Sequence, residues 1–170
     1  TYTYDASGNM TDVELAGTHV HNRYNDKGQL VEKIDALGNS TQMEYDESGR
    51  MNHVLYPDGT EETFAYDANG NTVRATDRTG LAVSFTYDKL DRMTEKAYAD
   101  GTKEAYEYDA VGNVTKITSP GGGVTEYAYD ERDRNISITD PAGNVTAFEY
   151  DEASKLTKST DPYGNSISYE

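Results

Sequence analysis

Three groups of residues in this chain of 170 have types and spacings that could do chemistry. His19 and His21 are two apart, so on a strand they would share a face as a minimal metal pair. The sequence has no cysteine and offers no evident third ligand where zinc needs three or four, so both read as surface histidines. His53 falls in a row with Glu32, Arg74, Glu95, Lys116 and Lys158, a polar stripe, and reads as solvated. Aspartates recur at Asp5, Asp46, Asp67, Asp88, Asp109, Asp130 and Asp151. Calcium takes six to eight converging oxygens, whereas each of these places offers one regular carboxylate and scattered others such as Asp26, Glu47, Glu131 and Glu152. An aspartate that opens a turn has a simpler use, accepting bonds from the turn's own N–H groups. Neighbouring carboxylates such as Glu61 and Glu62 are abundant, and in so acidic a chain abundance carries no meaning. No nucleophile motif, phosphate loop or Ser-His-Asp order stands out. The residues therefore point to a chain that is not an enzyme and that holds no metal or cofactor.

The elements carrying these residues repeat. Tyr-Asp recurs with a period of 21, at Tyr45, Tyr66, Tyr87, Tyr108, Tyr129 and Tyr150, preceded by Tyr4-Asp5 and Tyr24-Asn25. Three residues after the Asp stands a glycine, as at Gly49, Gly70 and Gly112, or else Asp91, Asp133 or Ser154. Asp-x-x-Gly suits a type I turn, with Gly free to take a positive φ after it. Asp91 and Asp133 are expected to do the same at some cost. A run rich in β-branched residues follows, as in Leu30–Ile34, Met51–Leu55, Val114–Thr118 and Ile136–Thr139, and reads as a strand. A second turn then ends in Gly38, Gly59, Gly80, Gly101, Gly122, Gly143 or Gly164, and all four prolines sit at its second place, where a fixed φ fits. In the first repeat this turn reads Glu14-Leu-Ala-Gly17, one residue early. The returning strand carries a large apolar residue, usually aromatic, two residues before the Tyr, as in Phe64 with Tyr66 or Met43 with Tyr45, around a small or polar spacer such as Ala65 or Thr86. Its period of two puts the aromatics on one face and the spacers on the other.

Each repeat thus makes two short strands and two tight turns, and residues 1–170 read as a single array of about eight hairpin repeats. The expected fold is all-β, an antiparallel meander that twists into a curved ribbon. One hairpin cannot bury its apolar face alone, so neighbours must do it. Leu, Ile, Val and Phe make up only about 15% of the chain, below the ~20% under which a highly charged chain is expected to be disordered. Fifteen tyrosines replace that bulk, each burying a ring while keeping its hydroxyl wet. The formal net charge of -16 argues against nucleic acid and anionic membranes as partners. No apolar run approaches a membrane span. The chain opens on Thr1-Tyr2 inside a repeat, so it reads as an excerpt whose open sheet edges would favour self-association.

The doubled signature, Tyr-Asp-x-x-Gly-(Asn/Arg), then Asp-Pro-x-Gly-Asn, then aromatic-x-Tyr-Asp, resembles the RHS or YD repeat family over about residues 2–170. The departures are Asn25 for Asp, Asn22 for the aromatic, Asp91, Asp133 and Ser154 for Gly, and the short first repeat. The resemblance implies a β-sheet ribbon that spirals into a hollow shell. In the bacterial Rhs and toxin-complex proteins such a shell holds a C-terminal toxin, and in animal teneurins a related barrel belongs to an adhesion ectodomain. On that likeness the segment is shell wall of a large secreted or cell-surface bacterial protein. Its partner is the rest of its own chain, and Tyr4, Tyr24, Tyr45, Tyr66, Tyr87, Tyr108, Tyr129 and Tyr150 stack as a ladder while the turn Asp and Gly residues fix the register. The alternative is an extracellular module whose tyrosines bind glycans or a receptor, although it lacks the tryptophan that such sites commonly use.

Overall fold

A computed structural model describes all residues, 1–170, and contains strands and turns but no helix. The strands form two compact units, Thr1–Ser84 and Phe85–Glu170. The first holds β1 (Tyr2–Tyr4), β2 (Met10–Leu15), β3 (Thr18–Tyr24), β4 (Leu30–Ile34), β5 (Ser40–Tyr45), β6 (Met51–Leu55), β7 (Glu61–Tyr66), β8 (Thr72–Thr76) and the start of β9 (Ala82–Tyr87). The second holds the end of β9 with β10 (Met93–Ala97), β11 (Lys103–Tyr108), β12 (Val114–Thr118), β13 (Val124–Tyr129), β14 (Asn135–Thr139), β15 (Val145–Tyr150), β16 (Leu156–Thr160) and β17 (Ser166–Ser168). Within each unit every strand pairs antiparallel with the next in sequence. Strands touch only those neighbours, so each unit is one layer thick. The expected two strands per repeat are present, with β14 beginning at Asn135, one place earlier than the sequence suggested.

Both kinds of turn are built alike. In the first, the N–H of Gly49 donates to the Asp46 carbonyl and the N–H of Asp46 donates to the Arg50 carbonyl, each at 2.8–2.9 Å. The second repeats this pattern, with Gly59 donating to Tyr56 and Tyr56 to Thr60. That is a three-residue hairpin loop, a type I turn followed by one left-handed residue. The left-handed place is taken by glycine, as at Gly49 (φ 82°), Gly70 (97°), Gly112 (107°), Gly143 (83°) and Gly164 (85°). It is also taken by Asp91, Asp133 and Ser154 at φ 59°, 59° and 65°. The first repeat is one residue short because its second turn differs from the expected Glu14–Gly17 arrangement. Leu15 pairs directly with Thr18, and Ala16 and Gly17 both have positive φ, 51° and 81°. This two-residue loop is of the I′ kind.

Seven hairpins that turn just after the repeat tyrosine carry a bulge before the turn. Glu44 faces His53 but Tyr45 faces Met51, and the shift recurs at Tyr4, Tyr24, Tyr66, Tyr108, Tyr129 and Tyr150. Two residues then oppose one, which sharpens the local twist. The core is thinner than the tyrosine count suggests, since only Val54 and Asn22 are buried, at 6% and 7% exposure.

A left-handed φ costs an L-residue roughly 1–2 kcal/mol, while glycine adds about 0.5–1 kcal/mol of unfolded-chain entropy. Ser154→Gly is therefore expected to raise stability by about 0.5–1 kcal/mol in urea unfolding. A loss of stability would mean that the Ser154 hydroxyl contributes more than its backbone costs.

Candidate functional site

The turn aspartates are engaged by their own turns. Asp67 Oδ1 accepts the N–H groups of Asn69 and Asn71 at 2.9 Å, and its Oδ2 accepts Asn71 Nδ2 at 3.1 Å. Asp5, Asp35, Asp109, Asp140 and Asp161 bond in the same way to Asn9, Asn39, Asn113, Asn144 and Asn165. In Asp46, Asp88 and Asp130 the outer oxygen accepts the Nε of Arg50, Arg92 or Arg134 at 2.7 Å. Asp151 accepts the Lys155 N–H at 2.9 Å. Asn25 keeps the pattern without the charge, since its Oδ1 accepts Lys27 and Gln29 N–H groups at 3.0 Å. Hydrogen bonding, through the Asn side chain first, holds the carboxyls of Asp5, Asp35, Asp140 and Asp161 below their usual range. In Asp130 the Arg134 side chain is the leading cause and brings the value to about 2. The sixth place of the signature, Asn or Arg after Gly, is thus the side chain that closes the turn.

The tyrosine hydroxyls are not left to water as expected. Tyr66 donates to the carbonyl of Met51 at 2.7 Å, fifteen residues back. Tyr45 donates to Leu30, Tyr108 to Met93, Tyr129 to Val114 and Tyr150 to Asn135, all at 2.7–2.9 Å. Tyr24 donates to Met10 at 3.0 Å, and Asn22, standing where other repeats have an aromatic, donates to that same carbonyl. The register explains the need. β6 and β7 pair from His53 to Leu55 only, so Met51 lies beyond the ladder and the Tyr66 hydroxyl takes the bond a strand would have made. Tyr4 is 60% exposed, and Tyr87 ends β9 at the equivalent place.

A second clasp recurs at every second hairpin from Arg50 to Arg134. Arg50 stacks over the Tyr66 ring at 4.7 Å and donates to the Asp67 carbonyl at 2.9 Å. Arg92 does the same to Tyr108 and Asp109, and Arg134 to Tyr150 and Asp151. Gln29 reaches the Gly49 carbonyl similarly. The arginines are two repeats apart, with Asn71 and Asn113 at the places between them, so two hairpins make one full period. The left-handed Asp133 accepts Asn113 Nδ2 at 3.1 Å, which gives its side chain a use that glycine lacks. Three of the repeat tyrosine rings meet guanidinium groups, an interaction the sequence reading missed although Arg at every second sixth place from Arg50 to Arg134 was its signal.

The two faces differ in chemistry. The spacers Glu44, Ala65, Glu107, Ala128 and Glu149 are exposed and the flanking aromatics half-buried, as expected. On the spacer face, cross-strand ion pairs at 2.9 Å join Arg23 to Glu32, Lys103 to Glu95, Lys116 to Glu107 and Lys158 to Glu149. His53 is not simply solvated, for it sits 2.9 Å from Glu61 and 3.7 Å from Glu44. Glu62 lies on the opposite face, where the Tyr56 hydroxyl donates to it at 2.9 Å, so Glu61 and Glu62 cannot act as a carboxylate pair. On the aromatic side, burial and then Glu104 push the Tyr106 phenol up to about 12. His19 and His21 do meet a third group, since Nε2 and Nδ1 respectively lie 3.2 and 2.7 Å from Asp12 Oδ1.

Such hairpins, paired in sequence within each unit and tied by a Tyr-Asp signature, define an all-β repeat protein. A family model for the RHS repeat matches residues 24–61, 66–103, 108–134 and 135–166, and the chain belongs to that family. The first three matches begin at positions 24, 66 and 108, two hairpins apart, which is the period set by the arginines. No curated protein matches the chain. Among solved structures, the TcdB2–TccC3–Cdc42 complex is similar at TM-score 0.68 and 20% identity over 89% of this chain. A mutated Tc holotoxin pore of Photorhabdus luminescens and TcdB2–TccC3 without its hypervariable C-terminal region are similar at TM-score 0.67, also at 20% identity over 89%. At this identity the likeness is one of fold. The chain spans 10%, 9% and 10% of the length of those three chains.

Two outcomes are expected. Tyr66→Phe leaves the Met51 carbonyl without its donor and should cost about 1 kcal/mol, or roughly 2–4 °C in thermal midpoint. Changing the exposed spacer Ala65 to Ser should move the midpoint little, and equal effects would remove the assigned role of the hydroxyl. The second outcome concerns acid. Carboxyls lowered in the folded state stabilise it fully above their unfolded value near 4 and stop doing so as pH falls through the folded value. Far-UV circular dichroism should therefore show unfolding that begins below about pH 4 and continues to about 2, where Asp130 titrates. An unchanged spectrum across that window would refute the turn carboxylates as a source of stability.

Proposed function

We propose that this segment is shell wall in a large bacterial RHS-repeat toxin or surface protein, where it helps to enclose a C-terminal effector of the same chain and performs no chemistry itself. The observation that carries this reading is that the RHS repeats build units each one layer thick, with almost no buried core. Its stability comes from turns and strand-to-strand clasps, so both faces remain available, one tyrosine-rich and one charged. A wall needs that arrangement, while a domain folding around its own core does not. The fold shared with TcdB2–TccC3 structures adds support. On this reading the partner is the remainder of the chain and the setting is secreted or at the cell surface. The tyrosine bonds count against the glycan-binding alternative, because hydroxyls already donating to backbone are not free to donate to a sugar.

The test uses the full-length parent protein. The region after the repeats is expected to survive a protease that digests the same region made alone. Rapid digestion of that region beside intact repeats would overturn enclosure and favour a ribbon or stalk.

A further inference from the structure

The hairpin of β2 and β3 breaks the repeat in length, in turn type and in what it gathers on its spacer face. Asp12 stands directly opposite His21, and Glu14 opposite His19, so alternation puts all four side chains on one face. Both imidazoles aim at a single oxygen, Asp12 Oδ1, at 3.2 and 2.7 Å. Thr3 Oγ1 donates to the other oxygen at 2.7 Å, which orients the carboxylate from behind as an outer-shell partner does. The two-residue loop at Ala16-Gly17 holds this register. His19 is 62% and His21 41% exposed at the side chain, so an ion can reach them.

We propose that Asp12, His19 and His21 form a binding site for a divalent transition ion of the zinc class. As they stand, no three such side chains could hold a metal ion, because here the donors meet one another; the ion would take the place of their mutual hydrogen bonds. Two of the three ligand-to-ligand edges can be compared with those of a zinc sphere. Zinc bonds of about 2.0–2.2 Å in a tetrahedron set ligand-to-ligand edges of roughly 3.3–3.5 Å. The His19 edge already has nearly that length, and the His21 edge must open by little more than half an ångström. A neutral imidazole carries one proton on either nitrogen, so moving it to the far nitrogen frees a lone pair without changing charge. Two nitrogen donors and a carboxylate suit zinc rather than magnesium or calcium, which take oxygen. Glu14 or water completes the sphere, and the excess negative charge of the chain draws cations toward it.

The test is zinc chloride titrated into the 170-residue chain by calorimetry, with the imidazole nitrogens followed by NMR. One zinc per chain is expected, with His19 Nε2 and His21 Nδ1 shifting together. His19→Ala or His21→Ala should weaken binding by about tenfold or more. His53→Ala, which alters the remaining histidine, should not, and excess magnesium should not displace the zinc. Circular dichroism on each variant separates lost binding from lost folding. Absence of saturable binding to the folded chain, or retention of it in the folded double variant lacking both His19 and His21, would overturn the site.

Discussion

A tyrosine hydroxyl bonded to a backbone carbonyl of the preceding hairpin is the interaction on which this sheet depends. The bulge before each Tyr-Asp turn and the short ladder to the next hairpin leave one carbonyl per repeat outside the regular pairing. A polar backbone group without a partner is costly when water is excluded. The phenol meets that need and also lays its ring along the sheet. This explains why the residue is tyrosine, when phenylalanine would fill the same space and leave the carbonyl open. The Asp turns perform a comparable task at the sheet's edge, satisfying the loop N–H groups from within the loop. Each hairpin therefore completes its own polar bonding at one end and that of its predecessor at the other.

Most of the fold was legible in the sequence because a period of 21 and an alternation of two are strong signals that neighbouring repeats confirm for one another. Strand positions, the regular turns, and the positive φ of Asp91 and Asp133 follow from local rules. The hydroxyl bonds were not legible, since they depend on where a ladder ends, which is a property of two strands and a bulge together. The first repeat misled for a similar reason. Its missing residue signals a different loop, and Ala16 is an unusual occupant of a left-handed position. Asp12 was invisible as a companion of His19 and His21 because it lies on another strand, and register alone sets it opposite.

The two faces divide the chemistry of the chain. On the spacer side, exposed ion pairs contribute little energy each, but they favour one register over slipped ones, since a slip by one residue would carry every charge to the tyrosine side. On the aromatic side, stacked guanidinium groups and phenol–carboxylate bonds do the work that aliphatic packing does elsewhere. A net charge of -16 is compatible with an ordered chain because so many carboxylates have fixed partners.

The spacing of Arg50, Arg92 and Arg134 has a consequence for how such arrays grow. Gaining or losing a single repeat by recombination would preserve strand pairing and turn phase, yet it would set two arginine hairpins, or two asparagine hairpins, side by side. Duplicating two consecutive repeats keeps both the sheet and the alternation. The unit that can be added or removed between Arg50 and Arg134 without disturbing either feature is the hairpin pair.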